Sequence, residues 1–201
     1  MRRAVFLDRD GVVNAMVRRG SGIDSPQHPS EFQVLPRVAE AIRALNRLRL
    51  PVVVVSNQPG IAKGTSTSEF LEQSTVALRE HLQAADASLD GIYYCLHHPD
   101  AVVPEYRVIC QCRKPRPGLL LQAAMELDLC PSESYMVGDH PRDMLAGREA
   151  GCRTILIDIP ATAAHGIGPS LGMPEVDFRC GSLWEAARWI VEAESAMTRS
   201  A

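Results

Sequence analysis

The sequence predicts an α/β fold in which a central parallel sheet carries helices on both faces. Three observations support it. Short apolar runs alternate with amphipathic helical patterns along the chain, and that alternation builds parallel βαβ units. Val52-Val53-Val54-Val55 is an unbroken β-branched run, as a strand covered on both faces requires. Several apolar runs end in polar, chemically capable residues, and ligands of open α/β sheets sit beyond the carboxyl ends of the strands. With 201 residues, residues 1–201 are expected to form a single domain at ~100–200 residues per domain. A chain of this length buries about 70% of its unfolded surface and has no need of disulfide staples.

Ala4-Val5-Phe6-Leu7 is the first buried strand. From Pro36 to Arg49, Val38, Ala41, Ile42, Leu45 and Leu48 recur at helical spacing, with Pro near the start. Val52–Val55 is the second strand. Ser66-Thr67-Ser68-Glu69 matches a capping box and opens a helix to about Gln83. Ile92-Tyr93-Tyr94 is the third strand, and residues 117–128 are helical with Leu119, Leu120, Ala123, Ala124 and Leu127 on one side. Tyr135-Met136-Val137 is the fourth strand. A short helix from Met144 to Ala150 ends at Gly151. Thr154–Ile157 is the fifth strand, and Ser182-Leu183-Trp184-Glu185 caps a last helix to about Glu194. Residues 20–30 and 159–174 read as irregular, and the tail after Ala196 as frayed. There is no internal repeat and no low-complexity tract.

Hydrophobic residues make up 46% of the chain and charged residues 22%, with a formal net charge of −3. That balance opposes a broad electropositive surface, so no nucleic-acid partner is expected. It leaves room for a small anion site built from a few basic groups. Met1-Arg2-Arg3 precedes only a short apolar run, far from a signal peptide. No run approaches the ~18 apolar residues of a membrane span. The expectation is a cytoplasmic protein without membrane contact, a compartment in which structural disulfides are rare.

The strand ends carry the chemistry. The first ends in Asp8-Arg9-Asp10-Gly11, the second in Ser56-Asn57-Gln58, the fourth in Gly138-Asp139, with Asp143 beyond it. Lys114 precedes Pro115, which biases its backbone to an extended form. A lone Asp after an apolar run is usually a turn former or a cap, but this joint pattern is far more specific. Converging aspartates repel unless a cation holds them, and a hard, oxygen-seeking Mg²⁺ suits such a cluster. Two aspartates at i and i+2 can divide into nucleophile and general acid–base. A lysine, a serine hydroxyl and backbone amides complete a set suited to phosphoryl transfer.

Of six cysteines, three crowd together: Cys95-Leu96-His97 and Cys110-Gln111-Cys112, with residues 98–109 between the pairs. Three Cys and one His make a closed tetrahedral Zn²⁺ set. These spacings are tighter than common zinc patterns, and on spacing alone a set of reduced buried thiols is an equal reading. Cys130, Cys152 and Cys180 fit no ligand pattern and read as core thiols.

The strongest motifs are Asp8-Arg9-Asp10-Gly11-Val12-Val13-Asn14, Ser56-Asn57-Gln58-Pro59-Gly60-Ile61-Ala62-Lys63-Gly64, Cys110-Gln111-Cys112-Arg113-Lys114-Pro115-Arg116-Pro117-Gly118 and Val137-Gly138-Asp139. Together they resemble the haloacid dehalogenase (HAD) superfamily of phosphatases, and more closely its histidinol-phosphatase and D-glycero-D-manno-heptose 1,7-bisphosphate 7-phosphatase group. The resemblance runs from Asp8 to about Ile157. It implies a three-layer HAD Rossmann-like fold and a Mg²⁺-dependent phosphomonoester hydrolase. Asp8 would form an aspartyl-phosphate. Asp10 would protonate the leaving alkoxide and then activate water. Asp8, the backbone carbonyl of Asp10 and Asp139 would hold Mg²⁺. Ser56 and Lys114 would bind the transferring phosphoryl group, with Asn57 and Gln58 beside them, and Arg113 would help recognise the substrate. Asp143 would support the loop. The resemblance also favours a structural Zn²⁺ on Cys95, His97, Cys110 and Cys112, in a loop of about residues 95–112 that stiffens the presentation of Arg113 and Lys114.

Residues 11–55 and 57–113 leave no room for a separate cap domain, so the site is expected to be capless and open. Loops then choose the substrate, expected to be a sugar phosphate such as a heptose 1,7-bisphosphate bound to a monomeric enzyme. Two departures from the group bear on that choice: Met16-Val17-Arg18-Arg19 replaces a polar sugar-facing patch, and His140 follows Asp139 where Lys is frequent. Arg18 and Arg19 read as solvated charges, or as contacts to a second phosphate. Histidinol phosphate is the alternative substrate, a polynucleotide 3′-phosphatase a more distant one, and a non-enzymatic zinc scaffold the non-catalytic reading.

Overall fold

The computed structural model describes residues 1–20, 22–158 and 174–199. In chain order the elements are β1 (Val5–Leu7), β2 (Val17–Arg19), β3 (Gly22–Asp24), α1 (Val38–Arg47), β4 (Val52–Asn57), α2 (Ser68–Gln83) and β5 (Gly91–Cys95). They continue as α3 (Gly118–Glu126), β6 (Tyr135–Gly138), α4 (Pro141–Glu149), β7 (Arg153–Ile157), β8 (Phe178–Cys180) and α5 (Leu183–Arg199). Six strands form one parallel sheet in the order β5-β4-β1-β6-β7-β8. β2 and β3 form a separate antiparallel hairpin.

Strand periodicity explains the layers. Val52 and Val54 face one core with Val5, Leu7, Tyr135 and Val137, closed by α1, α5 and the Leu78–Leu82 face of α2. Val53 and Val55 face the other with Phe6 and Met136, closed by α3 and α4. Successive side chains point to opposite faces, so a continuous apolar run is satisfied only between two helix layers. All four valines have no exposure. This is the three-layer parallel architecture expected. In register, Leu7 lies between Val54 and Val137, which brings the ends of β1, β4 and β6 together.

Several boundaries differ from the sequence reading. α1 begins at Val38 instead of Pro36, because Arg37 takes a left-handed conformation (φ 62°). The cap of α2 is Thr67, whose Oγ1 accepts the Phe70 N–H at 3.1 Å, and not Ser66. α4 starts at Pro141, before the expected Met144. His140 caps it by accepting the Arg142 N–H, while Asp143 accepts the His140 N–H at 3.0 Å. A histidine in this role gives little sequence signal. α5 runs to Arg199, beyond the expected Glu194. β2, β3 and β8 were too short to show periodicity, and β3 lies inside the stretch expected to be irregular. Residues 159–173 of the other irregular stretch lie outside the described residues. Cys152 is buried as expected, whereas Cys130 and Cys180 are only half-buried.

Candidate active site

The Asp8-Arg9-Asp10-Gly11 turn leaves the end of β1, where Asp8 N–H donates to Val137 O on β6 at 2.9 Å. Gly11 has φ +86°, and a Cβ there would stand 2.1 Å from an Asp139 carboxylate oxygen. The glycine therefore permits both the turn and the close approach of the two loops. Asp8 Oδ1 accepts from the Arg9 N–H at 2.7 Å and from Lys114 Nζ at 2.9 Å. Asp10 accepts from Asn14 Nδ2 at 2.8 Å and from Gln58 Nε2 at 2.7 Å, one bond to each oxygen.

β4 delivers the next group. Ser56 is buried, and its Oγ accepts from Gln58 Nε2 at 3.1 Å. Asn57 binds the backbone of Lys114 twice: its Nδ2 donates to Lys114 O and its Oδ1 accepts the Lys114 N–H, both at 3.0 Å. Thus the side chains of Asn57 and Gln58, expected beside the phosphate, are engaged in aligning Lys114 and Asp10. Lys114 Nζ spends its donors on Asp8, on Asp143 at 2.7 Å and on Val55 O at 2.8 Å. The Lys114–Pro115 peptide is cis. Asp143, fully buried, forms an ion pair with Lys114 and accepts the His140 N–H, which ties Lys114 to the start of α4.

Asp8, Asp10, Ser56, Asn57, Lys114 and Asp139 line a cavity of about 190 Å³ together with Arg113, whereas Gln58 and Asp143 are not among its lining residues. Its wall also includes Met16 and Lys63, which fall in segments the sequence reading named, and Ile23, Asp24 and Arg142, which do not. The hairpin residues Met16, Ile23 and Asp24 reach it only because β2 and β3 fold over the strand ends. Arg18 and Arg19 do not line it. Arg19 instead forms an ion pair with Glu31, and Arg18 is exposed.

The electrostatics favour a cation. One oxygen from each of Asp8, Asp139 and Asp143 falls within a 4.8 Å group. Burial, then the Asp8 and Asp143 carboxylates, push Asp139 well above the usual carboxylate range. Burial also works against a charged Lys114, but Asp143 and Asp8 outweigh it and hold the ammonium above its ordinary range. Lys114 pairs with both Asp8 and Asp143 but offsets only one of their two charges, and Asp139 has no ion-pair partner among the described residues. An all-oxygen, net-negative donor set of this kind fits Mg²⁺.

The second cluster lies where β5 ends. Cys95, Cys110 and Cys112 sulfurs are 3.1–3.6 Å apart, and His97 Nδ1 is 3.3 Å from Cys112 Sγ. Zinc–sulfur bonds of about 2.3 Å give a tetrahedral edge of about 3.8 Å, so the four atoms need to open by only tenths of an ångström around Zn²⁺. Burial raises the Cys95 thiol. It opposes ionisation of Cys110 too, yet hydrogen bonds from Cys112 and Cys95 draw that thiol down to about 7. His98 stands outside the group. Gly118 lets α3 start against this loop, since a Cβ there would stand 2.3 Å from Gln111 O.

The HAD-hydrolase-like family model matches residues 111–166. The D-glycero-beta-D-manno-heptose-1,7-bisphosphate 7-phosphatase of Escherichia coli (strain K12) is 42% identical over 151 residues, 75% of this chain and 76% of that protein. The protein of the same name from Pasteurella multocida (strain Pm70) is 41% identical over 158 residues, 78% and 82% of the two chains. Among solved structures, a D,D-heptose 1,7-bisphosphate phosphatase from B. bronchiseptica, complexed with magnesium and phosphate, superposes with a TM-score of 0.78 at 29% identity. The match covers 95% of this chain and 99% of that one. A second, from Burkholderia thailandensis, gives a TM-score of 0.65 at 25% identity over 94% and 99% of the chains.

Proposed function

The chain belongs to the heptose-1,7-bisphosphate 7-phosphatase family of HAD-like hydrolases, and from that premise we propose that it removes the 7-phosphate of D-glycero-beta-D-manno-heptose 1,7-bisphosphate. The observation that carries this reading is the meeting of Asp8, Asp10, Ser56 and Asp139 at the ends of three adjacent strands, with Lys114 of the loop before α3 among them.

In this reading Asp8 and Asp139, with the backbone carbonyl of Asp10, would hold Mg²⁺, which when bound would supply charge stabilisation for the phosphoryl oxygens. Lys114 and the Arg9 N–H fix the plane of the Asp8 carboxylate. An Asp8 oxygen attacks phosphorus, and the bond from phosphorus to the C7 oxygen breaks. Asp10, oriented from both sides by Asn14 and Gln58, delivers a proton to the departing alkoxide. The product is aspartyl-phosphate plus the heptose 1-phosphate. Asp10, now a carboxylate, takes a proton from water as that water attacks phosphorus, releasing inorganic phosphate and restoring Asp8. Ser56 Oγ donates to a phosphoryl oxygen, and Lys114 Nζ, held by Asp8, Asp143 and Val55 O, supplies positive charge beside the group. Zn²⁺ on Cys95, His97, Cys110 and Cys112 is structural, with no protein position left open for catalysis. The six free cysteines suit the reducing cytoplasm, which is where we place the enzyme.

Phosphate release tests the reading. The purified protein with Mg²⁺ is expected to hydrolyse the heptose bisphosphate faster than histidinol phosphate. Removing Mg²⁺, or making Asp8→Asn, is expected to lower turnover by at least ~10³-fold. An active Asp8→Asn enzyme sinks the mechanism, and faster release from histidinol phosphate sinks the substrate assignment.

A further inference from the structure

Arg9 lies between the two aspartates that the proposed reaction uses, yet it does not line the cavity. Its side chain is 2% exposed. No carboxylate stands within ion-pair distance of it among the described residues. A buried cation without an opposite charge is costly unless other groups hold it. Three elements do so here. Ser74 of α2 accepts from the guanidinium at 2.8 Å. The guanidinium carbon lies 5.2 Å from the centre of the Phe32 ring, in the loop before α1, and 5.7 Å from that of Tyr94 on β5, both within cation–π range. α2 also fixes Tyr94, whose hydroxyl is 2.8 Å from Thr75 Oγ1. Phe32 follows Glu31, which ties down the hairpin of β2 and β3 through Arg19 and accepts the Gln27 N–H.

The backbone of the same residue shapes both carboxylates. The Arg9 N–H donates to Asp8 Oδ1 at 2.7 Å. Its carbonyl accepts the Val13 N–H at 2.7 Å and the Asn14 N–H at 3.0 Å, and Asn14 Nδ2 donates to Asp10 at 2.8 Å. A displacement of Arg9 therefore moves the donor to Asp8 and, through Asn14, a donor to Asp10.

We propose that Arg9 is a positioning residue: its guanidinium, held by Phe32, Tyr94 and Ser74, sets the aim of Asp8 and Asp10 without touching substrate. The proposal rests on the reading of Asp8 as nucleophile and Asp10 as general acid–base. In the sequence, an arginine flanked by two aspartates reads as their local neutraliser. In the structure its charge is spent on two rings and a hydroxyl drawn from three other parts of the fold.

The experiment measures phosphate release from heptose 1,7-bisphosphate by the full chain with Mg²⁺ and Zn²⁺, below the melting onset of every variant. Arg9→Met keeps the length of the side chain and removes its charge and hydrogen bond. It is expected to lower kcat by about 10–100-fold, the scale of a misplaced reacting group, with KM within about twofold of wild type. Arg9→Lys keeps a cation beside the rings and should recover part of kcat. Ser74→Ala should lower kcat by about 3–10-fold, as one hydrogen bond to a charged group would, and should add little in an Arg9→Met background. Wild-type kcat in Arg9→Met overturns the proposal. So does a loss confined to KM, which would put Arg9 on the substrate. If Arg9→Met does not fold, Ser74→Ala and Phe32→Leu decide, and wild-type kcat in both overturns it. Turnover by Asp8→Asn overturns the nucleophile reading itself, whereas an inactive Asp8→Asn beside a fully active Arg9→Met overturns this inference alone.

Discussion

At the scale of single residues, the site depends on side chains that orient others. Asn57 is the clearest. Its amide makes a donor–acceptor pair with the backbone of Lys114, as a neighbouring strand would, and so sets where Nζ reaches Asp8. Asn57→Ala is expected to lower kcat by about 10–100-fold, from two lost hydrogen bonds of ~1 kcal/mol each and the resulting misplacement. Steady-state phosphate release checks this, and the melting temperature reports any separate loss of fold. The convergence of Asp8, Asp10 and Asp139 on one cavity was legible because each follows an apolar strand within a dense polar motif. The pairing of Asp143 with Lys114 was not, since it joins α4 to the loop before α3 across the sheet.

At the scale of elements, the loop between β5 and α3 has little regular structure apart from a 3-10 turn at Pro104–Tyr106. Its shape comes from cross-links. His98 N–H donates to Tyr106 O, Val102 N–H to Ala62 O and Gly118 N–H to Gln111 O. The Cys95–His97–Cys110–Cys112 group closes its two ends. One zinc per chain is expected by elemental analysis. Cys112→Ser, or a strong chelator, should remove it and lower the melting temperature by about 6–12 °C, as a ~3 kcal/mol loss would in a chain of this size. Phosphatase activity should fall with it, because Arg113 and Lys114 follow the second ligand pair directly. Full zinc retention in Cys112→Ser would contradict the site. Spacing exposed the four ligand candidates, and their distances show that they lie together as a group able to hold a metal rather than as scattered thiols. The hairpin of β2 and β3 escaped the sequence reading because three-residue strands carry too little pattern.

At the scale of the whole molecule, α5 closes the sheet far along the chain from its first strand. Trp189 meets Tyr135 edge-on at 6.1 Å and stacks on Phe178 at 5.0 Å. The Tyr135 hydroxyl donates to Glu194, which also pairs with Arg3 at 3.1 Å. This cluster sits at the amino end of β6, opposite the Gly138–Asp139 end. Trp189→Ala is expected to cost about 3 kcal/mol and so lower the melting temperature by about 6–12 °C. Turnover at 25 °C should stay near wild type, measured as phosphate release, because the catalytic strand ends are untouched. A large loss of turnover without a shift in melting would contradict that separation.

The sequence by itself determined the parallel three-layer fold and named the groups that the proposed reaction uses. Both are local: strand periodicity within a few residues, and motifs attached to strand ends. Only the tertiary structure decided how the charges divide. Lys114 turns inward to Asp8 and Asp143, Arg19 is tied to Glu31, and Arg113 and Arg142 are brought to one cavity wall. That division depends on burial and on distances between residues far apart in the chain, and neither can be read from spacing along it.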